Sequence, residues 1–131
     1  DAIGMVKGLI TPNTQLNPIT NYGKSKAMAE ARLKEICKKW NIYRFSPVYT
    51  KTQKRDIEKR YYLKYPNWAY KIGSGGQFEV LEISGAVNAM VEWVDKDVDN
   101  TIHIIKDADL LDINILINRE KAEGRAKHVF Y

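Results

Sequence analysis

Asn17-Pro18-Ile19-Thr20-Asn21-Tyr22-Gly23-Lys24-Ser25-Lys26, continued by Ala29-Glu30 and Leu33, is the stretch on which this chain turns. Asn17 is a good N-cap and Pro18 suits a first helical position, so a helix is expected from here. Ala27, Met28, Ala31, Leu33, Ile36, Cys37 and Trp40 follow at mostly helical spacing, and basic residues gather at the end of the run, where the helix dipole favours them. Tyr22 and Lys26, four apart, then share one face. That pairing has chemical use. A free phenol loses its proton near pH ~10, and a neighbouring ammonium lowers such a value by about 1–3 units. A tyrosine so placed can take a proton from a hydroxyl.

The spacing alone carries little weight. With 8 tyrosines in a lysine-rich chain, about one Tyr-x-x-x-Lys arises by accident. A surface tyrosine packed over a lysine stem fits those two residues equally well.

Outward from this block the pattern alternates between helix and strand, which indicates α/β organisation. Asn41 stops the helix and Ile42 to Phe45 reads as a short strand. A second helix is expected over Gln53–Lys64, ending ahead of Pro66. Trp68 to Ile72 is strand-like, Gly73-Ser74-Gly75-Gly76 is a turn, and Phe78 to Ile83 alternates as a half-buried strand. Ser84 is the expected cap of a third helix with Val87, Met90, Val91 and Val94 on its apolar face. Thr101 to Ile105 is a β-branched strand, a fourth helix starts at Leu110, and His128 to Tyr131 forms a last strand.

The string Asn-Pro, a short spacer, Tyr-Gly-x-Ser-Lys, then Ala-Glu and Leu closely resembles the catalytic helix of the extended short-chain dehydrogenases/reductases. These include the NAD-dependent sugar epimerases and dehydratases. Ile42 to Tyr49 looks like the family's Arg-x-x-x-Val-Tyr-Gly strand and turn, where the chain passes between cofactor and substrate. The turn at Ile72 to Gly76, the stretch Phe78 to Val87 and the stretch Thr101 to Leu111 follow in the family's order.

The resemblance implies Tyr22 as catalytic acid/base and Lys26 as its partner, both also touching the cofactor. It places Phe45, Ser46 and Val48 beside the cofactor and Pro47, Tyr49 and Phe78 beside the substrate. The cofactor is NAD or NADP in the complete protein, with none expected on this fragment. The implied fold is a partial Rossmann-like half over residues 1–51 (catalytic helix and following strand) and a smaller α/β substrate-binding portion over 52–131.

Several family features have no counterpart. The family's N-terminal βαβ units present a Gly-rich loop to the pyrophosphate, and Gly73 to Gly76 falls too late to be that loop. If Val6-Lys7-Gly8 stands for the family's Val-Tyr-Gly, the third catalytic position, a Ser or Thr, is held by Ile3 or a neighbour. Thr11 and Thr14 belong to the wrong side of the turn. Phe78 holds the place of an arginine for the nucleotide diphosphate, Thr50 that of a glycine, and Ser84-Gly85 that of acidic residues. The expectation is a C-terminal fragment of an epimerase, dehydratase or reductase acting on a sugar or nucleotide-sugar, inactive alone. A fragment of this kind exposes apolar surface, so self-association is expected.

Composition leaves two other readings. One is a cofactor-free binding module on the same scaffold. The other is a nucleic-acid-binding domain, from the net charge of +5 and the run Lys51 to Arg60. Asp56 and Glu58 interrupt that run at helical pairing distance, which favours a solvated helix face, although Tyr61, Tyr62 and Tyr65 could stack on bases. A single cysteine, Cys37, cannot build a disulfide framework, so a reducing, cytoplasmic setting is expected, with the thiol as a small buried hydrophobe. His103 and His128 lie far apart, and no metal site is expected. No membrane span is expected either, since no run approaches about 20 apolar residues.

Overall fold

The computed structural model describes residues 2–4, 10–53, 55–61, 68–71 and 76–130. The chain divides into two compact units, one of residues 1–44 and 91–104, the other of residues 45–90 and 105–131.

In the first unit, α1 runs over Asn21–Ile36, three residues later than the Asn17 cap predicts. Asn17 is engaged elsewhere, its N–H donating to the Ile3 carbonyl at 3.2 Å. Gly4 has φ +76°, and a Cβ there would lie 1.9 Å from the Asn17 carbonyl oxygen, so only glycine fits this approach. Thr20 therefore takes the cap, its hydroxyl accepting from Gly23 N–H at 3.0 Å. The helix also stops early. Cys37 is an extended, half-buried C-cap whose N–H bonds Leu33 O, so neither it nor Trp40 continues the helix. Trp40 N–H instead donates to Asn100 Oδ1 at 2.8 Å, and Asn100 holds a left-handed φ of 58°. The apolar residues of α1 do not form a buried face. Only Gly23 is buried, whereas Met28 is 72% and Ile36 61% exposed.

The strand expected at Ile42 to Phe45 is present as β1 (Ile42–Phe45), and it pairs with β6 (Ile102–Ile105). Asn41 does not stop α1. Its Oδ1 accepts from the N–H groups of Asp99 and Thr101.

The second unit holds the core. Strand β2 (Val48–Tyr49) pairs in parallel with β5 (Leu81–Glu82), and β3 (Trp68–Tyr70) in parallel with β8 (His128–Phe130). Strand β4 (Gln77–Phe78) runs antiparallel to β7 (Leu111–Asp112). Ile57, Tyr61, Ala69, Val80, Ile113, Ile117 and Ala126 form one buried cluster. The last strand is as the sequence reads. The single strand expected over Phe78 to Ile83 is instead two short ones, β4 and β5, because its ends pair with different partners. Within residues 53–64, helix α2 spans Arg55–Glu58 and ends in a turn at Lys59 to Tyr61. Tyr62, Tyr65, Pro66, Ile72 to Gly75 and Val6 to Gly8 lie outside the described residues.

Helix α3 (Ile83–Val94) begins one residue before the predicted cap. Ser84 donates rather than caps: its N–H and hydroxyl both go to the Glu82 carboxylate, the former at 2.8 Å. The expected apolar face is present in sequence but open to solvent, with Val87 49%, Met90 55%, Val91 60% and Val94 75% exposed. Helix α4 (Ile113–Ala122) starts three residues after Leu110, because Leu111 and Asp112 pair with β4. Asp112 caps it, accepting from Asn114 N–H at 2.8 Å and Ile115 N–H at 3.3 Å. Ile113, Ile117 and Glu120 recur at helical spacing on its buried side. Glu120 is held by the Arg125 guanidinium through bonds of 2.6 and 2.7 Å. No described helix is long and apolar enough to cross a membrane.

Ile117, fully buried, fixes α4 to the core. Ile117→Ala is expected to lower the unfolding free energy by about 2–5 kcal/mol in a urea titration. Ile115→Ala, on the 68% exposed side of the same helix, is expected to change it by less than about 0.5 kcal/mol. Equal effects at the two positions would contradict the burial.

Candidate functional site

The first unit carries the tyrosine and lysine. Both stand on the first turns of α1, and the Lys26 ammonium lies 5.3 Å from the centroid of the Tyr22 ring. Tyr22 is 60% exposed, so its hydroxyl is open to a ligand. The Ser25 hydroxyl donates to the Tyr22 carbonyl at 2.8 Å, a bond local to the helix that leaves the phenol itself uncommitted. The structure thus brings Tyr22 and Lys26 together as their spacing requires.

Below them, Glu30 receives a two-pronged bond from Arg44 of β1. Arg44 Nε reaches Glu30 Oε1 at 3.0 Å and Nη2 reaches Oε2 at 2.7 Å. His103, on β6, stacks against Tyr43 with centroids 4.8 Å apart, and no group of three metal-ligating side chains occurs among the described residues.

The second unit carries the remaining candidates. Phe45 ends β1, Ser46 and Pro47 follow, and Val48 and Tyr49 form β2. Backbone pairing holds this run: Ser46 N–H donates to Ile105 O at 3.0 Å, and Pro47 O accepts from Leu81 N–H at 3.1 Å. Pro47 and Val48 are exposed, while Phe45, Ser46 and Tyr49 are half-buried. Phe78 is elsewhere in the unit, with the Arg60 guanidinium 4.1 Å from its ring centroid. A planar cation over an aromatic face is a favourable contact.

Tyr49 opens onto a cavity of about 370 Å³ that it lines with Glu82, Asp107, Asp109 and Leu110 among others. Asp107 organises this place. Its two carboxylate oxygens accept from Glu82 N–H at 3.1 and 3.2 Å, and Oδ2 accepts from the Tyr49 hydroxyl at 3.5 Å. Burial, the negative charges of Asp107 and Glu82, and the bond to Asp107 all push the Tyr49 phenol above its ordinary value. The Ser84 hydroxyl and N–H hold the Glu82 carboxyl below its usual range. Sequence reading passed over Asp107, Asp109 and Arg60. The Asp-Ala-Asp step directly after a β-branched strand was the available signal for the first two, and nothing local singles out Arg60 within a run of like residues.

No protein-family model and no curated protein matches the chain. Solved structures do. It is similar to the UDP-glucuronic acid 4-epimerase of Bacillus cereus in complex with NAD, at TM-score 0.72 and 17% identity over 98% of this chain and 46% of that one. The dTDP-glucose 4,6-dehydratase of Bacillus anthracis str. Ames in complex with NAD gives TM-score 0.69 and 17% identity, covering 99% of this chain and 46% of that one. The NAD-dependent NDP-hexosamine 5,6-dehydratase TunA, of tunicamycin biosynthesis, gives 0.68 and 19%, covering 98% and 46%. The chain spans a little under half the length of each, and it has the fold of that part of these structures.

The raised Tyr49 value has a measurable consequence. The folded state favours the neutral phenol, so this contribution to stability is full below about pH 10 and is lost as pH rises through the folded value. In an absorbance titration, the Tyr49 component is expected to ionise late. Tyr49→Phe should delete that late component, and loss of an ordinary component instead would refute the assignment.

Proposed function

We propose that this chain is part of an NAD(P)-dependent epimerase-, dehydratase- or reductase-type enzyme acting on a sugar or nucleotide-sugar. The observation that carries this reading is the Tyr22–Lys26 pair, adjacent and open on α1, within a fold shared with NAD-complexed sugar enzymes. Tyr22 acts as acid/base on a sugar hydroxyl. Lys26, a cation beside the phenol, favours the negative charge that develops there as the proton moves.

The donors at hand fit one portion of a dinucleotide. A hydroxyl and an ammonium, both exposed on one helix face, match the acceptor and donor pattern of ribose hydroxyls. Tyr22 and Lys26 would hold that ribose, and Phe45, Ser46 and Val48 of the second unit are read as further cofactor contacts. The bound nicotinamide would supply two-electron oxidation and reduction of the sugar carbon. Pro47, Tyr49 and Phe78 are read as substrate contacts, and the Tyr49 cavity, rich in acceptor oxygens, suits a polyhydroxylated group.

The exposed apolar side of α3 supports a working form in which this chain is one part of a larger α/β fold, inactive alone. The UDP-glucuronic acid 4-epimerase and the two dehydratases extend over about twice the length matched here, as the 46% coverage indicates.

The test is turnover of nucleotide-sugars with NAD or NADP by the complete gene product. Tyr22→Phe removes the proton-carrying oxygen and is expected to lower turnover by about 10²–10⁴-fold while leaving the unfolding midpoint in place. Unchanged turnover in Tyr22→Phe would end the assignment.

A further inference from the structure

Helix α1 is held in an unusual way for an element bearing reactive side chains. Its apolar residues bury little, since Gly23 alone is fully buried, Ala27 and Leu33 are half-buried, and Met28 and Ile36 face solvent. What locates it on β1 is one nearly buried ion pair. The Arg44 and Glu30 side chains keep only 10% and 12% of their exposure, and their two bonds are 3.0 and 2.7 Å long. Arg44 Nη1 also reaches the Pro12 carbonyl at 3.4 Å, which ties the same guanidinium to the segment leading into the helix.

Tyr22, Lys26 and Glu30 follow one another at steps of four residues along α1. With 3.6 residues per turn, each step turns about 40° around the axis and rises about 6 Å. Lys26 therefore sits between the tyrosine and the anchored carboxylate on one slowly drifting stripe. Fixing Glu30 from both oxygens fixes the rotation of that stripe. A single contact would leave a pivot, whereas two parallel bonds to a planar guanidinium do not. Tyr22 lies about 12 Å along the axis from the anchor, so a tilt of about 10° there displaces it by about 2 Å. Misplacement of about 1 Å at a reacting group can cost about 100-fold in rate.

We infer that the Arg44–Glu30 fork is the positioning element of the Tyr22 site: it sets the direction in which Tyr22 and Lys26 are presented, and neither of its residues touches the reacting atoms. This rests on the activity proposed above for Tyr22.

Arg44→Lys discriminates positioning from stability, because lysine keeps the charge and most of the stem but not the fork. In the complete gene product, Arg44→Lys is expected to retain an unfolding midpoint close to that of the unsubstituted protein. Its kcat should fall about 10-fold or more, with KM for the sugar nucleotide little changed. Arg44→Met, which removes the charge as well, should lose both kcat and thermal stability. Wild-type kcat in folded Arg44→Lys, or a kcat loss that merely tracks the folded fraction across the two variants, overturns the inference. Amide hydrogen exchange over residues 21–36 supplies a readout that needs no turnover. Faster exchange in α1 than in β1 upon Arg44→Lys supports the tether, and unchanged exchange in α1 overturns it. An unsubstituted protein without turnover would count against the proposed activity alone, with the exchange comparison still deciding the tether.

Discussion

The first unit hangs on the contact between Arg44 and Glu30. Two charges at 10% and 12% exposure have given up most of their water, and only the paired geometry offsets that cost. Removing one partner from such a pair costs about 3–5 kcal/mol, since it strands the other charge. In most small domains a helix is fixed by an apolar stripe, which tolerates sliding and repacking. Among the described residues of the unit Ile42 is the buried hydrophobe, and α1 contributes none. A polar lock is directional where an apolar one is not, and direction is what a helix presenting a tyrosine and a lysine requires.

The second unit is organised on the opposite principle. Its buried cluster joins α2, α4 and β3, with Val129 of β8 packed half-buried against it. Two carboxylates add polar contacts, the buried Glu120 held by Arg125 and the half-buried Asp107. Asp107 stands where β5 passes into α3 and satisfies the Glu82 N–H, one of the amides that a helix start leaves without an internal partner. The same carboxylate receives the Tyr49 hydroxyl, so the packing of a helix entry and the environment of a cavity wall share one residue. Leu81, fully buried, closes the other side, and a Cβ on Gly85 would come within 2.9 Å of its Cδ1. A larger side chain at Gly85 would have to displace Leu81.

Elements set by their own residues were legible in the sequence. Ile42 to Phe45 is a strand because β-branched and aromatic residues follow a helix that has already ended, and the Tyr22–Lys26 pairing follows from helical spacing alone. What distant residues decide was not legible. Asn17 has the chemistry of a cap, yet Ile3 takes its N–H and Thr20 caps instead. Trp40 continues the helical pattern in sequence, yet Asn100, sixty residues away, captures its N–H. Phe78 to Ile83 alternates as one strand should, but β4 pairs with β7 and β5 with β2, and the chain must bend between them. At the site the same division holds. Tyr22, Lys26, Ser46 and Tyr49 belong to local strings, whereas Asp107 and Arg60 gain meaning only from what they touch.

Helix α3 shows why a hydrophobic pattern predicts an interface but not its occupant. Val87, Met90, Val91 and Val94 recur at the spacing of a buried face, and that spacing correctly marks a helix. Each is between 49% and 75% exposed, and full burial of one such side chain is worth about 1.5–3 kcal/mol. A surface of this kind is stable in water only at the expense of solubility, so selection keeps it where something covers it. Burial in the rest of a larger fold would turn these residues from a liability into an apolar contribution that α1 lacks. The polar contact at Arg44 and the open face of α3 are thus different kinds of hold. The first grips Glu30 through both carboxylate oxygens, and the second is apolar area that a covering surface would bury.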